Sequence, residues 1–98
     1  MSLPVVLRPL AHGDIQQIHD ELEALTLGLG DKFVDRLDEA LDRIEALPEL
    51  YAEVWATVRA ARLRRFRHVV YYVALADRVE VIAVMHGARD SSAWQSRV

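Results

Sequence analysis

His68-Val69-Val70-Tyr71-Tyr72-Val73-Ala74-Leu75 and Val79-Glu80-Val81-Ile82-Ala83-Val84-Met85-His86 are separated by only Ala76-Asp77-Arg78. Both runs are dense in the β-branched and aromatic residues that suit a pleated, half-buried surface. A link this short joins neighbouring antiparallel strands. The first run is apolar on both of its faces from His68 to Val73, which predicts the central strand of a sheet. Its adjacent tyrosines must point to opposite faces, so one of Tyr71 and Tyr72 is expected in the core and the other on the open face.

Upstream, the alternating segment Val54 to Arg62 reads as a third strand. The link Leu63 to Arg67 carries Arg64, Arg65 and Arg67 around Phe66. Before Pro48 the period becomes helical. Phe33, Leu37, Ala40, Leu41, Ile44 and Leu47 form one stripe of a helix expected from Asp31 to Leu47, which Pro48 ends. Its outer face is Asp35, Asp38, Asp42 and Glu45 together with Glu39, read as a solvated surface. Ile15, Ile18, Leu22 and Leu25 define an earlier amphipathic helix from about Pro9 to Leu27, and Gly28 and Gly30 supply the break between the two. Leu3 to Arg8, interrupted by Pro4, suits an edge strand. Downstream, Asp90 or Ser91 is placed to cap a short terminal turn carrying Trp94 and Arg97. The order βααβββ predicts an α+β fold: one domain over residues 1–98, in which a helical hairpin packs on one face of a mostly antiparallel four-stranded sheet. The opposite face is expected to be free.

Charge is divided along the chain. Residues 1–53 hold twelve acids and four bases, a net −8, whereas residues 54–98 hold three acids and eight arginines, a net +5. Lys32 is the only lysine. Arginine's planar fork grips phosphates and carboxylates bidentately, so the second half is suited to an anion or an acidic partner. The absence of cysteine removes disulfides, thiolate catalysis and cysteine zinc sites. The start of the chain has no export signal, and no apolar run approaches the roughly 18 residues of a membrane span. A reducing cytoplasm is compatible with this composition.

Two constellations carry candidate chemistry. His86-Gly87-Ala88-Arg89-Asp90 ends the last strand and brings a proton-transfer group, a cation and an acid within five positions. The arginines Arg59, Arg62, Arg64, Arg65 and Arg67 form the other, but the parity of a strand divides Arg59 from Arg62, so the cluster is expected to be split between a face and a rim. His12, His19 and His68 form no metal spacing. His19 lies four residues from Glu23, a pair read as a surface contact, and no metal or cofactor is expected. Trp55 and Trp94 are read as packing anchors, since they do not interleave with the arginines.

These features in order resemble the RelE/ParE family of bacterial type II toxin-antitoxin toxins. The resemblance rests on Asp14-Ile15-x-x-Ile18, Ile44-x-x-Leu47-Pro48, Val58-Arg59, Arg65-Phe66-x-x-x-Val70-Tyr71-Tyr72 and Val79 through Asp90, with Trp94 and Arg97 beyond. It implies a growth-inhibiting toxin held by a cognate antitoxin in a hetero-oligomer. Arg59, Arg62, Arg65, Tyr72, Arg89, Trp94 and Arg97 would contribute the contact surface. The family divides by target. ParE-like members inhibit DNA gyrase by binding it. RelE-like members are ribosome-dependent mRNA endonucleases, and on that pattern Arg65 and Arg89 would clamp the phosphate while His86 transfers protons, with Tyr72 a further candidate. The acidic total, the lack of lysines and the presence of Trp94 instead of a C-terminal tyrosine favour the gyrase inhibitor. A third possibility is a non-toxic member that only binds its antitoxin.

Overall fold

The computed structural model describes residues 2–98. Strand β1 (Val5–Leu7) leads into α1 (Pro9–Leu25) and α2 (Leu29–Ala46), followed by β2 (Glu53–Trp55), β3 (Val58–Arg62), β4 (His68–Ala74), β5 (Val79–His86) and the short α3 (Ser92–Gln95). The strands form one sheet in the order β1-β5-β4-β3-β2. All pairings are antiparallel except β1 with β5. The α+β class holds, with β4 central and β1 at an edge.

The sheet has five strands where four were expected. The segment read as one strand from Val54 to Arg62 is a tight hairpin, reversed at Ala56 and Thr57. Ala56 takes a positive φ of 49°, a conformation that normally selects Gly, Asn or Asp. None of those residues marks this turn, so composition gives no signal for it.

Pro9 occupies the first turn of α1, where its missing amide hydrogen costs nothing. Gly28, at φ 87°, makes the left-handed entry to α2, which therefore begins two residues earlier than its acidic start suggested. Both Gly28 and Gly30 donate their amides to the Glu23 carboxylate, at 2.7 and 3.0 Å. One face of the hairpin lies on the sheet, where Phe33, Leu37, Ala40 and Ile44 of α2 join Ile18 of α1 and Val70, Tyr72, Val81 and Val84 of the strands. Leu47, the last residue of the expected stripe, falls outside the helix and is exposed.

The opposite face is not free. Val58, Val69, Tyr71, Val73, Ile82 and Met85 form a second apolar cluster beneath Trp94 of α3. The Trp94 ring stacks on Tyr71 at 4.4 Å with 14° between planes, and Trp55 meets it edge-on at 6.2 Å. A register shift opposite Tyr71 and Tyr72 lets consecutive residues Ile82 and Ala83 face this second cluster. Four C-terminal residues thereby close a face that strand alternation alone leaves open.

Candidate functional site

One end of the sheet gathers the free positive charge. There β3 ends at Arg62, the link 63–67 turns into β4 at His68, and β5 ends at His86 directly opposite His68. The link is tied down by the Leu63 amide, which donates to the His68 carbonyl at 3.1 Å, and by the Gly87 amide, which donates to the Arg67 carbonyl at 2.7 Å. A side chain at position 87 would put its Cβ 3.1 Å from that same carbonyl, so glycine permits the approach. Phe66 anchors the link by meeting Phe33 of α2 edge-on at 5.7 Å. Arg65 beside it adopts φ 64°, a strained setting for a residue with a side chain.

Arg62, Arg65, Arg67 and Arg89 are all exposed, and among the described residues none has a carboxylate within ion-pairing distance. Arg64 in the same link leans 3.6 Å from Glu39. Most arginines elsewhere are committed. Arg8 pairs with Glu80 at 2.9 Å, Arg78 with Glu80 and Asp77 at 2.7 and 2.8 Å, and Arg97 with Asp14 at 2.6 Å. The exposed arginines of the second half that lack a carboxylate among the described residues therefore gather at one end of the sheet.

A cleft of about 480 Å³ opens on the second face beside this end. Val54, Ala60, Val69 and the stacked Tyr71 and Trp94 make its wall, and Arg62 and Arg89 stand at it. Burial raises the Tyr71 hydroxyl above its ordinary pKa, with Arg62 partly opposing, which keeps the phenol protonated at neutral pH. A smaller polar recess of about 150 Å³ lies behind the strand end, bounded by His68, His86, Glu21 and Arg89. The His86 Nδ1 accepts the Ala88 amide at 3.0 Å, which leaves Nε2 to carry the proton of the neutral ring. His68 meets His86 edge-on at 5.6 Å. Burial and then the neighbouring His86 lower its pKa, and its Nδ1 is buried without a partner among the described residues. Asp90 accepts the Ser92 amide at 2.9 Å, the capping role expected of it, and these bonds to Ser92 lower its pKa.

The residues expected to form a contact or catalytic set divide accordingly. Arg62, Arg65, His86 and Arg89 share the basic end, and Trp94 walls its cleft. Arg59 faces the other way, as strand parity requires, and donates to the carbonyls of Tyr51 and Glu49 at 2.7 and 3.4 Å. Tyr72 corrects the expectation of an accessible hydroxyl: it is fully buried under the helices and donates to the Pro48 carbonyl at 2.8 Å. Arg97 is likewise held, by both Asp14 oxygens and by the Ile82 carbonyl. Tyr71 and Arg67 join the site instead. The parity of the Tyr71-Tyr72 pair signalled that one ring belonged to each face, but not which one.

The fold is similar to a chain of the chromosomal ParDE TA system from P. aeruginosa, with a TM-score of 0.72 and 15% identity over 87% of this chain and 96% of that one. At that identity the likeness speaks for the fold alone. No curated protein matches the sequence. Residues 5–91, from the first strand to the segment that follows the basic end, match the family described as the ParE toxin of the type II toxin-antitoxin system, parDE. A match that takes in both helices, every strand and the Gly87 turn settles the membership: the chain belongs to the ParE toxin family of type II toxin-antitoxin systems.

Proposed function

We propose that this chain is a toxin that acts by binding, inhibiting DNA gyrase without chemistry of its own, and that a cognate antitoxin neutralises it in a hetero-oligomer. The observation that carries this reading is the combination at the basic end of four arginines lacking carboxylate partners among the described residues with aromatic rings already spent on one another. Unpaired guanidiniums at the edge of an apolar cleft suit an acidic protein surface, because they offer bidentate bonds and speed encounter over a distance. Cleavage of RNA needs bases held and protons moved. Tyr71 and Trp94 stack on each other and not outward, and the Tyr72 hydroxyl is committed to Pro48. His68 is held neutral by burial, which leaves His86 as the one exposed imidazole at this end.

That same His86, with its Nε2 free and Arg89 bordering the same recess, supports the second reading, a RelE-like ribosome-dependent mRNA endonuclease. Two measurements on one induced culture and its purified protein separate the readings. The gyrase reading expects loss of supercoiling by purified gyrase as the chain is added, its reversal by the antitoxin, and an unchanged map of RNA 5′ ends. Undiminished supercoiling with new 5′ ends inside translated codons, absent in Arg89→Ala, would establish the nuclease. Neither effect, together with normal growth, would leave a non-toxic antitoxin-binding member.

A further inference from the structure

The tip of the helical hairpin, remote from the basic end, holds a second constellation. His19 and Glu23 stand one turn apart on α1, and the fold brings Asp31 from the first turn of α2 beside them. The ligand atoms of the three side chains lie within 4.8 Å of one another. We propose that this is a site for a borderline divalent transition metal, Zn²⁺ or Ni²⁺, ligated by the Nε2 of His19 and by the carboxylates of Glu23 and Asp31, with water completing the coordination.

Four features support the assignment. The donor set of one imidazole and two carboxylates suits zinc and nickel better than magnesium or calcium, which prefer oxygen alone. His19 Nε2 stands 3.1 Å from Asp31 Oδ1. Two ligands of one ion, each at about 2.0–2.2 Å, stand roughly 3 Å apart, so this pair is already spaced for a shared metal. The other ring nitrogen, Nδ1, lies 3.1 Å from Asp20 Oδ1. A carboxylate on the far nitrogen is the arrangement that orients a ligating imidazole and frees its Nε2. Finally, Gly30 lets the start of α2 approach His19 and Glu23 closely. A Cβ there would lie 2.6 Å from the His19 carbonyl, 2.8 Å from the His19 ring and 3.0 Å from Glu23 Oε1.

The chemistry of the contact is compatible with an ion. An ionised carboxylate has no hydrogen to donate, so without metal the ring carries the proton between Nε2 and Asp31, and a bound ion would take that proton's place. Glu23 already accepts the amides of Gly28 and Gly30. A carboxylate has about four lone-pair directions, so two amide bonds leave it able to ligate. An ion here would join the end of α1 to the start of α2 and stiffen the reversal that carries the exposed Leu25 and Leu27. The sequence showed only His19 and Glu23, a pair expected to be a surface contact. Asp31 enters through the reversal of the chain at Gly28.

The test is thermal unfolding and isothermal titration of the chelator-dialysed chain with zinc chloride, nickel chloride and magnesium chloride. One zinc per chain is expected, with a rise in the unfolding midpoint for zinc and nickel and none for magnesium. His19→Gln and Asp31→Asn should each abolish the rise, Asp20→Asn should weaken zinc about tenfold or more through the unoriented ring, and His12→Gln and His86→Gln should leave it unchanged. The proposal is overturned by the absence of a shift, by a shift that survives His19→Gln, or by one that disappears in His86→Gln. If His19→Gln lacks the helical circular dichroism of the parent, Asp31→Asn decides by the same criterion. Gyrase inhibition does not enter the readout, so the metal site and the toxin reading stand or fall separately.

Discussion

Arg97 closes on Asp14 across 83 residues of sequence, with its two terminal nitrogens 2.6 and 3.0 Å from the two carboxylate oxygens. The pair lies where β5 has lost its neighbour. Strand β1 accompanies β5 only as far as Val81, and beyond that point the Val84 amide donates to Asp14 at 3.0 Å while the Ile82 carbonyl accepts from Arg97 at 3.2 Å. Two side chains thus satisfy backbone groups that a longer β1 would have paired. The Arg97 carbonyl accepts in turn from Arg8 at 3.1 Å, which fastens the C-terminal segment that carries Trp94 over the second face.

Both members are mostly buried, with side-chain exposures of 18% and 15%. Asp14→Asn and Arg97→Ala are therefore each expected to destabilise by about 2–3 kcal/mol, since each strands a charged partner and an edge backbone group. The double substitution should cost less than the sum of the two. Urea denaturation of the three variants measures this, and full additivity would show that the pair does not act as a unit.

Tyr72→Phe removes one buried hydroxyl and leaves the Pro48 carbonyl without its donor. A loss of about 1 kcal/mol is expected, with the native spectrum retained. Growth arrest at equal protein level should be unchanged, because the ring presents no surface. A large loss of toxicity in a stably folded Tyr72→Phe would place the hydroxyl at the target after all.

His68 makes stability fall on the acid side of neutrality. Its folded pKa lies below the ordinary 6.5 because of burial and the adjacent His86. Its contribution is complete above 6.5 and is lost as pH falls from there through the folded value, as the unfolded chain takes up a proton that the folded chain resists. His19 has the opposite sign. Its pKa is raised by hydrogen bonds to Asp20 and then Asp31, so its contribution is present below 6.5 and fades as pH rises through the folded value. Denaturant midpoints at pH 5 and pH 8 should show the acid-side loss shrinking in His68→Phe, a replacement matched to the neighbouring Phe33 and Phe66. At pH 8 that variant should be at least as stable as the parent, because it removes a buried nitrogen that has no partner among the described residues.

Arg65→Gly separates stability from function. Relief of the left-handed φ is expected to stabilise by about 0.5–1 kcal/mol, while loss of one of the unpaired guanidiniums should weaken growth inhibition. Thermal unfolding and a plating assay read the two effects independently. Unchanged toxicity in the stabilised variant would remove Arg65 from the contact surface.

Much of the architecture is legible in the residues, for reasons that can be named. The 3.6-residue period of Ile15, Ile18, Leu22 and Leu25, the stripe from Phe33 to Ile44 and the β-branched runs on either side of Asp77 each state a local period, and burial of one face follows from the period. Pro48 and Gly28 punctuate these runs through backbone restrictions that act locally. The Ala56 reversal is not legible in the residues, because an alanine held at positive φ by its neighbours leaves no compositional mark.

The kinds and order of the elements, the place of His68–Val73 at the middle of the sheet, and the segregation of negative from positive charge therefore follow from the order of residues alone. Which charges remain available depends on the folded chain. Arg97 and Arg62 are the same residue type, yet one is held by an aspartate 83 positions away and the other stands open at a cleft. Tyr71 and Tyr72 are neighbours, yet one walls that cleft and the other lies beneath the helices. Asp31 joins His19 and Glu23 only because the hairpin folds back on itself. Periodicity is a property of neighbours along the chain, whereas the pairing of a charge depends on what the fold brings to it from elsewhere in the sequence.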